Sequence, residues 1–457
     1  MLQDNSWRLA ACLAAAMLLL LSASSANSQP PNVLVIMVDD LGYGDLSCYG
    51  AKDLQTPHID RLMSQGTRFN EFYANCCVCS PTRAALLTGR YPELVGVPGV
   101  IRTRDRENWG YLHPDAVSLT THFQRAGYHT SIVGKWHLGL RPENHPNSRG
   151  FDSFKGFLGD MMDDYWDHLR HGINYMREDS KEIDPEGHAT DLFTRWSIES
   201  LERLASQPKS FFHYLAYNAP HAPIQPPAEW LERYREREPE TPLPRAQIAA
   251  FIEHLDDGVG QVLSALDRLG LTENTIVVFT SDNGGSIRYS SSNGPLRGGK
   301  TQMYEGGLKV PTCFRWPEGI PARTTEFRAL TMDILPTLAD LCGIPIGNQL
   351  EGQSFKQELT EEQQEPLARN DCHTWLQGHK REAIRVRDWK LVRNQDNADY
   401  ELYHLASDPY ESTDLAAQEP GRAEQLRSEL EKHKRRANAV PWKRPGQVDR
   451  KIPGKAN

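Results

Sequence analysis

The sequence contains no internal repeat and no low-complexity tract, and after residue 28 no segment is apolar enough to cross a bilayer. These absences exclude a repeat architecture and a compositionally biased chain, and they predict no transmembrane span in the mature protein. What remains is a chain of 457 residues, of which 39% are hydrophobic and 24% are charged. This composition predicts a soluble globular protein with one large domain and a smaller one.

The first 28 residues differ in character from the rest of the chain. Arg8 precedes an apolar run over residues 9–21, which is followed by small and polar residues up to Ser28. This is the layout of a secretory signal peptide, residues 1–28, with cleavage near its end. The alternative, a membrane anchor, is disfavoured because the run is short for a span. The sequence therefore predicts an exported protein, either periplasmic or secreted.

Cysteine is infrequent, with 8 residues in the chain. Cys12 would leave with the signal peptide, and Cys79 is considered separately below. Export permits disulfides among the remaining cysteines, but the sequence does not give their pairing, and free buried thiols are an equal possibility. These remaining cysteines are Cys48, Cys76, Cys77, Cys313, Cys342 and Cys372.

Nearly unbroken apolar runs predict the strands of the large domain. Residues 32–38 and 275–280 are typical of strands buried on both faces of a parallel sheet. Residues 210–217 and 130–133 are further candidates, and residues 251–269 carry apolar side chains at helical spacing. Strands that alternate with helices predict an α/β fold with a mainly parallel sheet sandwiched by helices, over residues 29–345.

The pattern changes near residue 345. Residues 383–387 and 389–393 alternate like the strands of a hairpin, and residues 424–436 have the pattern of a terminal helix. Residues 346–457 are therefore predicted to form a small α+β subdomain, an antiparallel sheet with a helix. The segment from Val440 carries Pro, Gly and basic residues, which predicts a poorly ordered tail.

Cys79 stands at the predicted start of a short helix. Pro81 suits the first turn, Ser80 before it is a good N-cap, and Gly89 can end the helix. The N–H groups and dipole of a helix N-terminus attract an anion, and Arg83 lies about one turn further on. A nucleophile and a guanidinium at this position indicate chemistry on a sulfate or phosphate group.

The Cys79-x-Pro81-x-Arg83 segment, with the hydrophobic pair and Thr88-Gly89 that follow it, resembles the signature of the type I sulfatases, such as arylsulfatases and N-acetylgalactosamine-6-sulfatases. Residues 127–137 resemble the second signature of that family. The resemblance implies an alkaline-phosphatase-like fold and oxidation of Cys79 to formylglycine by a formylglycine-generating or anaerobic sulfatase-maturating enzyme. The chain departs from the pattern at Cys77, where the family usually has a small residue.

Two acidic pairs follow predicted strands. Asp39 and Asp40 come directly after the first strand, and Asp282 and Asn283 follow the strand over residues 275–280. In open α/β sheets ligands bind at the carboxyl ends of strands, so the two pairs could converge. Carboxylate and amide oxygens suit Ca²⁺ or Mg²⁺ better than zinc. The resemblance implies that the ion is calcium and that these four residues, with Cys79, are its ligands.

Four more residues complete the predicted pocket. In an extended segment, Lys135 and His137 would point to the same face. His221 lies in a loop between two prolines, and Lys300 lies on a glycine loop. The resemblance implies that Arg83, Lys135 and Lys300 bind the sulfate, that His221 protonates the leaving alcohol, and that His137 helps to release sulfate from the hydrated aldehyde. Asp160, Asp163 and Tyr165 are candidates for contacts with sugar hydroxyls or for a solvated loop.

The formal net charge is −9, so a polyanionic substrate requires cationic groups concentrated at the pocket, as the predicted site provides. The sequence thus predicts a sulfuric ester hydrolase acting on a sulfated carbohydrate, with no nucleic-acid partner. Two alternatives stay open. One is a phosphatase or phosphodiesterase of the same fold, with an unmodified nucleophile and zinc. The other is a non-catalytic, calcium-dependent protein that binds sulfated glycans.

Overall fold

A computed structural model of the chain describes residues 29–439, except 105–107, 109, 348–349, 361–370 and 379, and the side chain of residue 119. The predicted signal peptide and the predicted tail from residue 440 lie outside the described residues. Within the described part, no helix has the length and apolar character needed to cross a membrane. No two cysteines in this part are joined by a disulfide.

A large sheet and three smaller ones account for the described strands. In chain order the strands are β1 (Asn32–Val38), β2 (Thr67–Phe69), β3 (Phe72–Tyr73), β4 (His129–Lys135), β5 (Ser153–Phe157), β6 (Leu169–Arg170), β7 (Ile173–Asn174), β8 (Met176–Glu178), β9 (Lys181–Glu182), β10 (Phe211–Ala216), β11 (Thr275–Ser281), β12 (Thr312–Arg315), β13 (Arg323–Thr325), β14 (Ala329–Leu330), β15 (Cys372–Gln377), β16 (Arg381–Val386), β17 (Trp389–Arg393) and β18 (Glu401–His404). The large sheet has the order β13-β2-β12-β11-β1-β10-β4-β5-β8-β9. Its centre, from β11 to β5, is entirely parallel.

The central strand β1 is apolar throughout because both faces of the sheet are covered. Val33, Val35 and Met37 belong to one hydrophobic core, and the alternate residues belong to another on the opposite face. Alternate residues of β11 divide between the same two cores. A period-two alternation of apolar and polar residues is therefore not expected in these strands. The predicted α/β fold with a mainly parallel sheet is confirmed.

The helices cover both faces of the sheet or belong to the C-terminal part. They are α1 (Pro57–Ser64), α2 (Cys79–Thr88), α3 (Leu119–Arg125), α4 (Ala189–Ala205), α5 (Ala228–Arg237), α6 (Leu243–Arg268), α7 (Glu305–Leu308), α8 (Thr331–Leu341), α9 (Lys356–Thr360) and α10 (Pro420–Ala437). Helix α6 begins well before the predicted residue 251. Its first turns carry polar residues such as Arg245, which binds Asp45 and Asp53. The other residues of these turns are mostly small and apolar, and Ala246, Ile248 and Ala249 are buried, so the buried face of the helix begins earlier than predicted.

The C-terminal part contains the predicted hairpin, β16 and β17, within a four-stranded antiparallel sheet, β15–β18. Helix α10 packs on this sheet. The sheet also lies directly behind the segment that precedes Cys79. Trp375 of β15 donates a hydrogen bond to the carbonyl of Ala74 (2.8 Å), and Leu376 packs beside Cys76 and Cys77. The small sheet therefore supports the loop that carries the predicted nucleophile.

A buried charge network joins this sheet to the large domain. Lys390 of β17 is fully buried and contacts Glu305 at the start of α7 and Glu411, each at 2.8 Å. Against the effect of burial, Lys390 and Arg385 lower the pKa of Glu305 to about 2. Burial raises the pKa of Glu411 to about 7 in spite of Lys390. The network depends on one cation shared by two carboxylates.

Replacing Lys390 by methionine is expected to destabilise the protein by about 3–5 kcal/mol, because two buried carboxylates would lose their shared cation. Thermal or chemical denaturation measures the change. Lys432→Met is the matched control, since Lys432 is 58% exposed and, among the described residues, forms an ion pair with Glu429 of α10 alone. The control should change stability by less than about 0.5 kcal/mol. Equal losses of stability in the two variants would show that the buried network stabilises the protein no more than an exposed ion pair does.

Candidate active site

Cys79 is the first residue of α2, and it is 3% exposed. The extended residue before it, Val78, occupies the N-cap position, so the predicted N-cap role of Ser80 is wrong. Ser80 lies inside the first turn, where its hydroxyl accepts a hydrogen bond from the N–H of Ile101 (3.0 Å). Gly89 ends the helix in the left-handed conformation, as predicted (φ 64°).

The two acidic pairs meet beside Cys79. Strands β1 and β11 are parallel neighbours, and Val38 lies in register with Ser281, so the residues after each strand emerge at the same edge. One ligand atom each from Asp39, Cys79 and Asp282 lies within 4.8 Å of the others. The predicted convergence of these residues is therefore present in the structure.

Two buried oxygen atoms at this edge accept no hydrogen bond within the described part of the chain and are suited to bind a hard cation. The amide nitrogen of Asn283 donates to the Asp40 carboxylate (2.8 Å) and to the carbonyl of Gly284 (2.9 Å). This fixes the amide so that its oxygen is left without a donor. The Asn283 amide oxygen and one oxygen of Asp39 are buried, and neither accepts a hydrogen bond from a described residue. Buried oxygens without donors are costly unless a cation satisfies them.

The carboxylates of this group also repel one another. Burial and the adjacent Asp39 carboxylate raise the pKa of Asp282 to about 7. Asp39 itself, against the effect of burial, is held ionised because Lys135, His221 and Arg83 lower its pKa. Carboxylates that share a buried site in this way gain from any added positive charge.

Arg83 and Lys135 lie beneath the group as fully buried cations. Arg83 donates from Nε (3.0 Å) and Nη2 (2.7 Å) to one oxygen of Asp282. Lys135, the last residue of β4, donates to Asp39 (2.5 Å). Both side chains are almost inaccessible to water, at 1% and 0% exposure. Their charges therefore act at short range with little screening.

Lys135 and His137 do not lie in one extended segment. The prediction that strand periodicity points their side chains to the same face is therefore wrong. Strand β4 ends at Lys135, and His137 adopts a left-handed conformation (φ 60°). Its Nε2 donates to the carbonyl of Ile101 (2.7 Å), whereas its buried Nδ1 contacts no described partner. Burial, Lys135 and Arg83 hold the pKa of His137 well below its ordinary value. The neutral ring thus presents a lone pair at Nδ1.

His221 is 12% exposed, and its Nε2 lies 3.7 Å from the Asp40 carboxylate. Its Nδ1 donates to the carbonyl of Ala222 (2.6 Å). Burial and Lys300 lower the pKa of His221, although the Asp40 carboxylate acts to raise it. The Tyr165 hydroxyl lies within hydrogen-bond distance of the carbonyls of His221 (2.9 Å) and Asn218 (2.8 Å). Tyr165 is fully buried under this loop, so its predicted contact with sugar hydroxyls is wrong.

Lys300 approaches from the glycine loop before α7. Its ammonium contacts Asp40 (2.7 Å), which raises the pKa of Lys300 above its ordinary value against the effect of burial. The backbone N–H of Lys300 donates to the carbonyl of Gly285 (3.0 Å), and the backbone N–H of Thr301 donates to the carbonyl of Cys77 (2.8 Å). The loop is thus fixed both to the segment after Asn283 and to the segment before Cys79.

A cavity of about 590 Å³ opens onto this group. Asp40, Cys79, His137, His221 and Lys300 line it, whereas Arg83, Lys135, Asp39, Asp282 and Asn283 lie behind that lining. Several other residues that line the cavity were not predicted from the sequence, and some of them come from the C-terminal sheet. These residues include Arg102, Arg288, Gln377, Arg381, Asn394 and Gln395. No local pattern marked them, because tertiary packing brings them to the cavity.

Asp160, a predicted sugar contact, does line the cavity. Its carboxylate is already bound by Arg102 (3.1 Å) and Arg170 (3.0 Å). Asp163 binds Arg170 (2.6 Å) and lines a neighbouring cavity of about 380 Å³. These two acidic residues therefore position arginines around the opening.

A mainly parallel sheet with a buried cysteine at a helix N-terminus, convergent carboxylates and several cations at its carboxyl edge is typical of the alkaline-phosphatase-like class of α/β proteins. The family model described as Sulfatase matches residues 31–344, and the one described as N-sulphoglucosamine sulphohydrolase, C-terminal, matches residues 299–438. The chain belongs to the sulfatase family.

Curated relatives and solved structures agree with this assignment. The N-acetylgalactosamine-6-sulfatase of Canis lupus familiaris is 34% identical over 74% of this chain. Arylsulfatase A of Homo sapiens is 36% identical over 70% of it. The chain spans 66% of the length of each, a little less than two thirds. The crystal structure of Ps i-CgsB in complex with k-i-k-neocarrahexaose is 30% identical, with a TM-score of 0.82, over 91% of this chain and 95% of that one.

Proposed function

We propose that this protein hydrolyses sulfate esters of a sulfated carbohydrate, with Cys79 converted to formylglycine and a calcium ion at the Asp39–Asn283 edge. The observation that carries the proposal is the position of Cys79. It lies at a helix N-terminus, within 4.8 Å of two carboxylates and in a cavity with two histidines and a lysine. A sulfate group requires this concentration of positive charge and N–H donors.

An unmodified thiol suits this position poorly as a nucleophile. Burial raises the pKa of the Cys79 thiol, although Lys135 and Lys300 act in the opposite direction. The reactive thiolate is therefore disfavoured at neutral pH. A hydrated formylglycine would supply an oxygen nucleophile for sulfur and, through its second hydroxyl, a route for releasing the bound sulfate.

Lys300 lines the cavity and contacts the sulfate, whereas Arg83 and Lys135 contribute positive charge from behind the cavity lining. Arg83, Lys135 and Lys300 surround Cys79 from three separate segments, and each is anchored by a carboxylate of the ligand edge. Their positions are fixed before substrate arrives, so little reorganisation is needed as charge develops on the sulfate oxygens. Calcium, held by Asp39, Asp40, Asp282, Asn283 and residue 79, would add positive charge at the same oxygens.

Two histidines are suited to move protons at defined atoms. Nδ1 of His221 donates to a backbone carbonyl, so Nε2 carries a proton for the leaving alcohol only when the ring is an imidazolium. Burial and Lys300 lower the pKa of His221, so its imidazolium form is less populated but gives up its proton readily, and the Lys300 ammonium lies nearby to assist. Neutral His137 has its free lone pair at Nδ1, where it can accept a proton from the hydrated aldehyde. The acid and the base are thus separate residues.

A carbohydrate substrate is supported by the relatives. One curated relative is named N-acetylgalactosamine-6-sulfatase, and Ps i-CgsB was solved with a neocarrahexaose bound. The cavity, at about 590 Å³, has room for a sugar ring that carries the sulfate.

The proposal is tested by peptide mass spectrometry over residue 79, combined with sulfate release. The protein is produced in a host that has a maturating enzyme, and it is then incubated with a panel of sulfated glycans. We expect the peptide to be lighter than the unmodified one by the mass difference between cysteine and formylglycine. We also expect inorganic sulfate to be released from at least one glycan. An intact thiol in such a host, together with no release of sulfate, would refute the proposal.

A further inference from the structure

Most charged groups around the cavity form ion pairs. Lys300 pairs with Asp40 (2.7 Å), and Arg102 pairs with Asp160 (3.1 Å). Arg170 also binds Asp160, at 3.0 Å. The acidic side chains that line the cavity are therefore already matched by basic partners.

Arg288 and Arg381 are different. Both line the cavity, and neither lies within ion-pair distance of a carboxylate among the residues that the structure describes. Arg288 is exposed and lies over the ring of Tyr289, with 5.7 Å from the guanidinium to the ring centroid. Arg381 begins β16 and donates from Nη1 to Gln377 (3.0 Å), and its Nε is buried without an acceptor in the described chain. Each guanidinium thus has unused donors.

The sulfate ester that is cleaved does not require these two arginines. Arg83, Lys135 and Lys300 already surround Cys79, and the structure anchors each of them to a ligand carboxylate. In a protein with a net charge of −9, two further guanidiniums without carboxylate partners at one cavity form a local excess of positive charge. A guanidinium fork matches the planar or tetrahedral oxygens of carboxylate and sulfate groups.

The position of Arg288 indicates where on the substrate such a group would be. The neighbouring cavity of about 380 Å³ shares Met161, Ala222, Arg288 and Tyr289 with the cavity that contains Cys79. The two cavities therefore adjoin each other, and Arg288 lies where they meet. The second cavity also has apolar walls, including Pro223 and Ile224, that suit the face of a sugar ring. A substrate longer than one sugar would pass Arg288.

Building on the proposed function, we propose that the substrate is an oligosaccharide with at least one anionic group besides the sulfate ester that is cleaved, and that Arg288 and Arg381 bind this second group. The group is a sulfate or a uronic acid carboxylate, since both offer oxygens to a guanidinium. Arg288 and Arg381 come from the large domain and the C-terminal sheet, so specificity depends on the packing of the two parts.

The test uses three disaccharides with one backbone and one scissile sulfate. The first carries no other charge, the second carries another sulfate on the neighbouring sugar, and the third has a uronic acid there. Arg288→Gln and Arg381→Gln are compared with wild type by kcat/KM and by competition against hydrolysis of methylumbelliferyl sulfate. Each variant should lose about tenfold more activity or affinity on at least one doubly charged compound than on the singly charged one. Which compound responds identifies the second group.

Arg235→Gln is the matched control. Arg235 is exposed on α5, away from both cavities, and its replacement removes the same charge. We expect it to leave all three compounds unaffected. Arg381→Lys and Arg288→Lys, which keep the charge, should restore part of the preference. Equal losses on all three compounds, or none, would overturn the inference while leaving the sulfatase proposal intact. Failure of wild type to release any sulfate would instead refute the proposed function itself.

Discussion

Replacing Cys79 by alanine is expected to abolish sulfate release, with a loss of at least about 10⁴-fold in kcat. Removing the nucleophile leaves only binding and charge stabilisation by the surrounding cations, and these give a small residual rate. Initial rates of sulfate release, measured on the best glycan of the panel, provide the measurement. Cys79 lies at the N-terminus of α2, so alanine keeps the helix and its N–H groups.

Cys77→Ala is the matched control for this substitution. Cys77 is also buried two residues earlier, but its sulfur contacts Gln377 (3.5 Å) and does not line the cavity. We expect the control to keep most of its activity and its formylglycine. Retention of more than about one per cent of wild-type activity by Cys79→Ala would contradict the nucleophile assignment. Phosphate release by Cys79→Ser would favour the phosphatase alternative.

The large domain could be predicted because its central strands carry an unambiguous pattern. Residues of β1 are apolar on both faces, and such a run occurs where helices cover both sides of a sheet. The start of α6 was placed too late, since its first turns bury mainly alanines, which mark an apolar face less clearly than larger side chains, and are also fixed by Arg245 to Asp45 and Asp53. The edge strands were also not predicted, because strands as short as β13 and β9 carry too few residues to show a period.

The site could be predicted only in part, for reasons that differ between residues. Asp39 and Asp282 follow neighbouring parallel strands, so the topology alone brings them together. His137 reaches the cavity by a left-handed turn after β4, which a period-two rule does not describe. Arg381 lies far along the chain on a hairpin, and only the packing of the small sheet behind Cys79 brings it near. No local sequence pattern encodes that packing.

Replacing Asp282 by asparagine is expected to lower calcium content and activity together, with a loss of activity of about a hundredfold or more. Asp282 supplies a charged oxygen to the edge and also holds Arg83 (2.7 Å), so its replacement affects both the proposed ion and the buried cation beside Cys79. Metal analysis of the purified protein gives the calcium content. Thermal denaturation with and without added Ca²⁺ gives the stabilisation, about 2.7 kcal/mol for wild type at a hundred times its Kd.

The comparison with and without calcium separates metal binding from folding. A variant that only folds less well would melt earlier in both conditions and would still gain from calcium, whereas loss of the site removes the gain itself. Asn283→Ala should show a smaller loss of the same kind, because it removes one neutral oxygen. Asp257→Asn, on the surface of α6, is the control, and calcium should stabilise it as much as it stabilises the wild-type protein. Full activity in a calcium-free Asp282→Asn protein would mean that the convergent oxygens at this edge serve no metal, and the proposed charge balance at Cys79 would have to be abandoned.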